Sequence, residues 1–178
     1  SKLIAYLSSL SKLELHRFED FVNSPYFNKH ENTKTLLRFI LQASSWDEDG
    51  LQKEKAFTFI FPGKPYEGQL LSNLISYLLK LFRQFLSQQR FIDQDNEQQL
   101  AQMEQASLIG QQKLFQLTAN RWKRQHEEQG WRNSSFHFEQ YRFQRLLNDF
   151  NLKNGSRFDG NFLGEADRHF TVYMLGAK

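Results

Sequence analysis

At 178 residues, with 39% apolar and 24% charged side chains, the chain has the make-up of a globular protein long enough for one sizeable core, or for one compact unit plus part of another. The absence of cysteine excludes disulfides, thiolate zinc sites and a cysteine nucleophile. Net charge is only +3, with the small excess between residues 111 and 150, which is far below the dense basic stripe of a dedicated nucleic-acid binder.

Twenty-five leucines and eighteen phenylalanines stand beside two valines, and Val, Ile and Thr together supply thirteen residues. Strands favour β-branched residues, whereas leucine keeps its rotamer freedom in a helix, so the composition predicts an all-α fold without a sheet. The expected architecture is a helical bundle followed by antiparallel helix pairs in an α-solenoid, tetratricopeptide-like arrangement. Residues 1–92 are read as an N-terminal unit with Pro-Tyr corners, and residues 93–178 as a helix-pair unit packed on it.

Along the chain, Leu3, Ile4, Leu7 and Leu10 make a short amphipathic opening. Ser11 with Glu14 is a capping box, opening a helix that is expected to bury Leu15, Phe18, Phe21 and Val22. Ser24-Pro25 ends it, because the residue before proline is pushed out of the α region. A third helix is predicted from about His30 to Ala43, burying Leu36, Leu37, Phe39 and Ile40, followed by a loop with Trp46, Asp47, Glu48 and Asp49. A short helix over 51–61 reaches the turn Pro62-Gly63-Lys64-Pro65, and Pro65 is expected in the first turn of the longest helix, where its missing N–H is no loss. Apolar pairs at 70/71, 74/75, 78/79, 81/82 and 85/86 predict that this helix, running to about Phe91, is covered on two sides. Asp93, Asp95 and Glu97 mark an acidic hinge. Helices follow at about 97–109, 111–129 and 133–152 with glycine turns at Gly110 and Gly130, then a glycine loop and a last helix to about Gly176. Helix, glycine turn and antiparallel helix is the unit of a solenoid, although the tetratricopeptide residue pattern itself is not met.

The stretch Leu70 to Leu86 is broken by Ser72, Asn73, Ser76, Lys80, Arg83 and Gln84, so it reads as no membrane span. No signal peptide opens the chain, though the missing initiator Met implies a trimmed N-terminus; a reducing, cytoplasmic setting is expected.

Five histidines, His16, His30, His126, His137 and His169, are the natural acid-base candidates, and none has a second His at helical zinc spacing. Phosphate loops and nucleophile elbows have no matching motif. The sequence therefore predicts no catalytic residue, no metal site and no cofactor. An enzyme would have to assemble its site from distant residues, such as His126 or His137 with Glu127, Glu128 or Glu139. Arg121, Lys123, Arg124, Arg132, Arg142 and Arg145 are interleaved with Trp122, Trp131 and Tyr141, as in single-strand binders whose rings stack on bases. The competing reading puts Trp122 and Tyr141 in the core, at helical spacing from Leu114, Leu117, Thr118 and Phe138.

The run from Phe18 to Asn28, with Ser24-Pro25-Tyr26-Phe27-Asn28 at its end, precedes Lys53-Glu54-Lys55-Ala56-Phe57 and Phe61-Pro62-Gly63-Lys64-Pro65-Tyr66. These segments resemble the N-terminal region of a family of uncharacterised helical proteins from Bacteroidetes. Glu165 to Phe170 is similar to a later helix of that family, with Ala166 in place of Leu and Phe170 in place of Tyr. The resemblance implies a bacterial helical protein and carries over no site. Because members of that family run longer, it also implies a fragment. Physically, Pro25, Tyr26, Phe27, Pro62, Pro65 and Tyr66 read as structural corners, with Tyr26 and Phe27 as buried plugs and Asn28 or Asn32 capping the next helix. The function expected overall is a non-enzymatic scaffold or adaptor for protein-protein interaction, and the alternative is nucleic-acid binding by the Arg121 to Arg145 face.

Overall fold

The computed structural model describes residues 2–47, 51–127, 132–155 and 161–176, and among them the chain forms nine helices and no strand. They are α1 (Lys2–Ser8), α2 (Lys12–Asn23), α3 (Glu31–Gln42), α4 (Lys53–Ile60), α5 (Gly68–Ile92), α6 (Asp95–Leu108), α7 (Gln112–Glu127), α8 (Ser134–Lys153) and α9 (Phe162–Gly176). The fold is all-α, and contacts divide it into two compact units, Ser1–Arg90 and Phe91–Lys178.

In the first unit α2 begins where the capping box places it. The Ser11 backbone N–H donates to the Glu14 carboxylate at 2.7 Å, and the Glu14 N–H donates back to the Ser11 hydroxyl at 3.3 Å. Leu3 and Leu7 of α1, Phe18, Phe21 and Val22 of α2, Leu36, Leu37 and Ile40 of α3, and Phe57 and Ile60 of α4 close over Leu71, Leu78, Leu81, Phe82 and Phe85 of α5. Leu15 and Phe39 are only half-buried, at the edge of this core. Helix α5 buries one broad stripe instead of two full sides: Leu70, Leu74, Ile75 and Leu79 are partly covered and Leu86 is exposed.

Three corner expectations need correction. Tyr26 is 86% exposed and Phe27 only half-buried, stacked on Phe21 at 4.2 Å between centroids. The turn closes through the Phe27 and Asn28 N–H groups donating to the Ser24 carbonyl, which leaves Tyr26 at its apex, pointing outward. The plug is Asn28, fully buried, whose amide donates to the Val22 carbonyl at 2.9 Å and whose oxygen accepts from the His30 N–H at 2.9 Å. Residue Asn28 thus satisfies backbone groups at the end of α2 and the entry to α3, while the N-cap position of α3 is His30. Finally, α5 starts at Gly68 and not at Pro65. Tyr66 turns its ring onto Phe57, 5.4 Å between centroids, and its hydroxyl lies 3.4 Å from where a Cβ on Gly68 would sit, so the chain is not yet helical between them.

In the second unit α6 and α7 are joined by a tight turn in which Gly110 takes φ +71°, a left-handed conformation natural to glycine, and the Gln111 N–H donates to the Ala106 carbonyl at 2.8 Å. Residue pairs show the directions. Asp95 at the start of α6 meets Arg121 and Gln125 near the end of α7, so this pair is antiparallel. Contacts Phe115 to Phe150, Trp122 to Phe143 and His126 to Glu139 run in opposite order along α7 and α8. His137 to His169 and Phe138 to Tyr173 pair α8 with α9 near one end, and Ala166, fully buried, lets those helices approach closely.

Candidate functional site

The functional side chains of the sequence reading converge in the second unit. On the seam between α6, α7 and α8, His126 is buried, its side chain 1% exposed. Its Nε2 lies 3.0 Å from the Glu139 carboxylate and its Nδ1 3.1 Å from the Trp122 carbonyl. Each ring nitrogen thus faces an oxygen. The Asn96 amide donates to the same Glu139 oxygen at 2.8 Å. Trp122 lies flat against His126, 3.5 Å between centroids, and against Phe143 on a second contact at 4.1 Å.

Beside this, Asp95 accepts from Gln99 at 2.9 Å and from Gln125 at 3.0 Å, and Gln99 also donates to Gln125. Arg142 donates to both oxygens of Glu97, at 2.6 and 2.7 Å. His126 and Glu139 form the only one of the expected His-carboxylate combinations that the described residues bring together. Trp122 and Phe136 flank the His126 ring, whose two nitrogens face partners inside the protein, while the Glu139 side chain keeps 21% of its exposure.

The six basic residues are dispersed among local partners. Arg121 reaches Asp95 at 3.4 Å, Arg142 is held by Glu97, and Arg145 donates to the Tyr141 hydroxyl at 3.2 Å. Lys123 lies over the Phe143 ring at 6.0 Å and Arg132 over Phe136 at 5.9 Å, while Arg124 is exposed. Trp122 is fully buried, as the core reading expects, and is no platform for a base; Trp131 lies outside the described residues. Elsewhere, His16 is exposed near Glu19 and Asp20, and His30 sits edge-on to Tyr77. Asp47 accepts from the Ser45 hydroxyl, and Glu48 and Asp49 fall outside the described residues, as do Glu128 and Gly130. Among the described residues no group of three metal-ligating side chains is assembled, and no helix is long and apolar enough to cross a membrane.

The face that sequence reasoning missed lies between α8 and α9. Phe138 packs on Tyr173 and Tyr141 on Phe170, each 5.0 Å between centroids, and Phe138 and Tyr141 approach within 6.3 Å along α8. Phe138 is 37% and Phe170 41% exposed, so the four rings form an open aromatic quartet and not a core. Leu163 and Met174 extend it along α9, and Arg142 and Arg145 lie over Phe138 and Tyr141.

No family model, curated protein or solved structure matches this chain.

The signal for the quartet was present as an aromatic pair at i, i+3 on each of two helices, 138/141 and 170/173. That spacing shows the rings share a face. It does not show whether another element covers them, and the core reading of Tyr141 rests on that spacing alone.

Proposed function

We propose that the protein is a non-enzymatic helical scaffold, a stack of antiparallel helix pairs in the manner of an α-solenoid, that binds a segment of another protein on the aromatic quartet of α8 and α9. The observation that carries this reading is the quartet itself. Four half-covered rings, extended by exposed Leu163 and Met174, make a contiguous apolar face with cations above it, the composition found at the centre of protein interfaces. The burial of His126 and its pairing with Glu139 support a structural role for the polar seam in place of a catalytic one. The absence of cysteine and the likeness to Bacteroidetes sequences favour a bacterial cytoplasm as its setting.

The test compares crosslinked, affinity-purified partners of the parent with those of Phe138→Ser/Phe170→Ser. A specific protein captured by the parent and lost with the variant, at unchanged helical content, supports the scaffold. Identical capture by both overturns it, as does turnover of a metabolite by the purified chain.

The nucleic-acid alternative loses its stacking ring to the core and two of its cations to carboxylates. A fluorescence titration with single- and double-stranded oligonucleotides at two salt concentrations is expected to show no binding. Binding with a steep salt dependence, weakened by Arg121→Ala/Arg124→Ala, would restore that reading.

A further inference from the structure

His137 of α8 and His169 of α9 meet through their Nδ1 atoms at 2.9 Å. Their ring centroids are 5.2 Å apart, as far as that contact and the two ring radii allow, so the nitrogens point at one another in line. In-line geometry leaves room for a single hydrogen. One ring donates its Nδ1–H, and the other accepts while carrying its own proton on Nε2. A metal ion held by both nitrogens needs their lone pairs to converge on a third point about 2.0–2.1 Å from each, which this alignment does not offer.

We propose that His137 and His169 form a one-proton clasp that holds α9 on α8 at neutral pH and releases it on acidification. The pair takes up one further proton without moving, because that proton goes to the free Nε2 of the donating ring and leaves the shared hydrogen in place. The next must go on the accepting Nδ1, and it sets two N–H groups head to head across a contact that has room for one.

The groups facing His169 are His137 on α8, Arg132 in the segment entering α8, and Glu165 and Arg168 on α9 itself, with the Phe136 ring as an apolar wall. Burial first, then the charge of His137, hold His169 below the ordinary histidine value; Arg168 and Arg132 act in the same direction, and Glu165 opposes them. The released helix therefore binds more protons than the docked one once pH drops below about 6.5. Docking is at full strength above that value and is lost as pH falls from there through the lowered value of the docked state. The clasp lies one residue from both Phe138 and Phe170, so its release also dismantles the aromatic quartet. That consequence for partner binding rests on the proposed function, whereas the release of α9 does not.

The experiment uses the full chain without a partner. Hydrogen exchange of α9 amides, expressed as protection relative to the intrinsic rate at each pH, is compared at pH 7.5 and 5.0 for the parent, His169→Phe and His137→Phe. The parent is expected to lose protection in α9 several-fold at pH 5.0, while α2 and α3 are unchanged. His169→Phe, which keeps a ring and loses the proton, should flatten the profile, and His137→Phe, which leaves burial acting on His169, should make it shallower. Nitrogen chemical shifts of the parent at pH 7.5 should show one of these rings as the Nδ1–H tautomer and the other as Nε2–H, a readout available even where a variant does not fold. Equal α9 protection at both pH values, an unaltered profile in the folded variants, or two Nε2–H rings would each overturn the clasp.

Discussion

In the first unit pairs of buried rings meet edge-on or tilted, as Phe18 does with Phe82 and Phe85, and the flat stacks, Phe27 on Phe21 and Tyr6 on Phe82, each include a ring at the edge of the core. In the second unit the rings lie flat on each other: Phe115 on Phe150 at 3° and 3.7 Å, Trp122 on Phe143 at 10° and on His126 at 14°. Polar side chains are threaded through this second core, with His126, Gln99, Thr118 and Asn148 all buried. Burial of leucine and phenylalanine is set by volume and is largely non-directional, so the first core tolerates reshaping. Parallel plates and hydrogen bonds fix an orientation as well as a volume. The second unit is accordingly the one whose core geometry is specified side chain by side chain.

The largest effect that would break this contrast is at Trp122. Trp122→Ala removes a fully buried ring from two stacks and should cost about 3–5 kcal/mol, comparable with the whole margin of a small domain. Amide exchange should show protection lost through α6 to α8 and retained in α2 and α3. By contrast Leu78→Met, at an equally buried site of the first core, should cost less than about 1.5 kcal/mol in a denaturant titration. If the two substitutions prove equally harmful, the distinction between the cores fails.

Next is the polar seam. His126→Leu leaves the partly buried Glu139 carboxylate with Asn96 alone and should cost about 1–3 kcal/mol. A double-mutant cycle with Glu139→Gln measures the coupling, and a value near zero would mean that the contact contributes position without energy. In the first unit the matching polar site is Asn28. Asn28→Ala strands the Val22 carbonyl and the His30 N–H and should also cost about 1–3 kcal/mol, whereas Tyr26→Ala, two residues earlier, should stay within about 0.5 kcal/mol. Thermal melts of the two variants side by side check the assignment of the plug.

The smallest effect is at the start of α2. Ser11→Ala should cost about 1 kcal/mol through the lost cap. The Ser11 hydroxyl, and then its backbone N–H, hold the Glu14 carboxyl below the ordinary glutamate value. A carboxyl lowered in the folded state stabilises above its unfolded value and stops doing so as pH falls through the folded one. The penalty of Ser11→Ala should therefore shrink in acid, as measured by melts at descending pH.

The helices themselves were legible in the sequence because periodicity and caps are local: Ser11 with Glu14, the Ser24-Pro25 stop and the turn at Gly110 all stand where the residues predict. Within the corner that follows Ser24, a tight turn has no period, so nothing in the order Tyr26, Phe27, Asn28 says which side chain turns inward. The choice falls to Asn28 because unpaired backbone groups at the helix end need an amide more than they need a ring. The start of α5 was missed because a long-range contact, Tyr66 on Phe57, outweighs the local preference of Pro65 for a first turn. At the site the sequence offered His126 or His137 and three carboxylates without ranking them. Which pair meets depends on how α7 and α8 lie against each other, and no spacing within one helix contains that.

The contacts between α7 and α8 also differ in the length of chain they enclose. His126 and Glu139 are nearest in sequence, Trp122 and Phe143 next, and Phe115 and Phe150 farthest apart. Each step outward from the α7 to α8 connection encloses a longer loop, but the added entropy grows only logarithmically once the previous rung is in place. A hairpin closed at His126 and Glu139 therefore adds its outer rungs at little further cost in loop entropy.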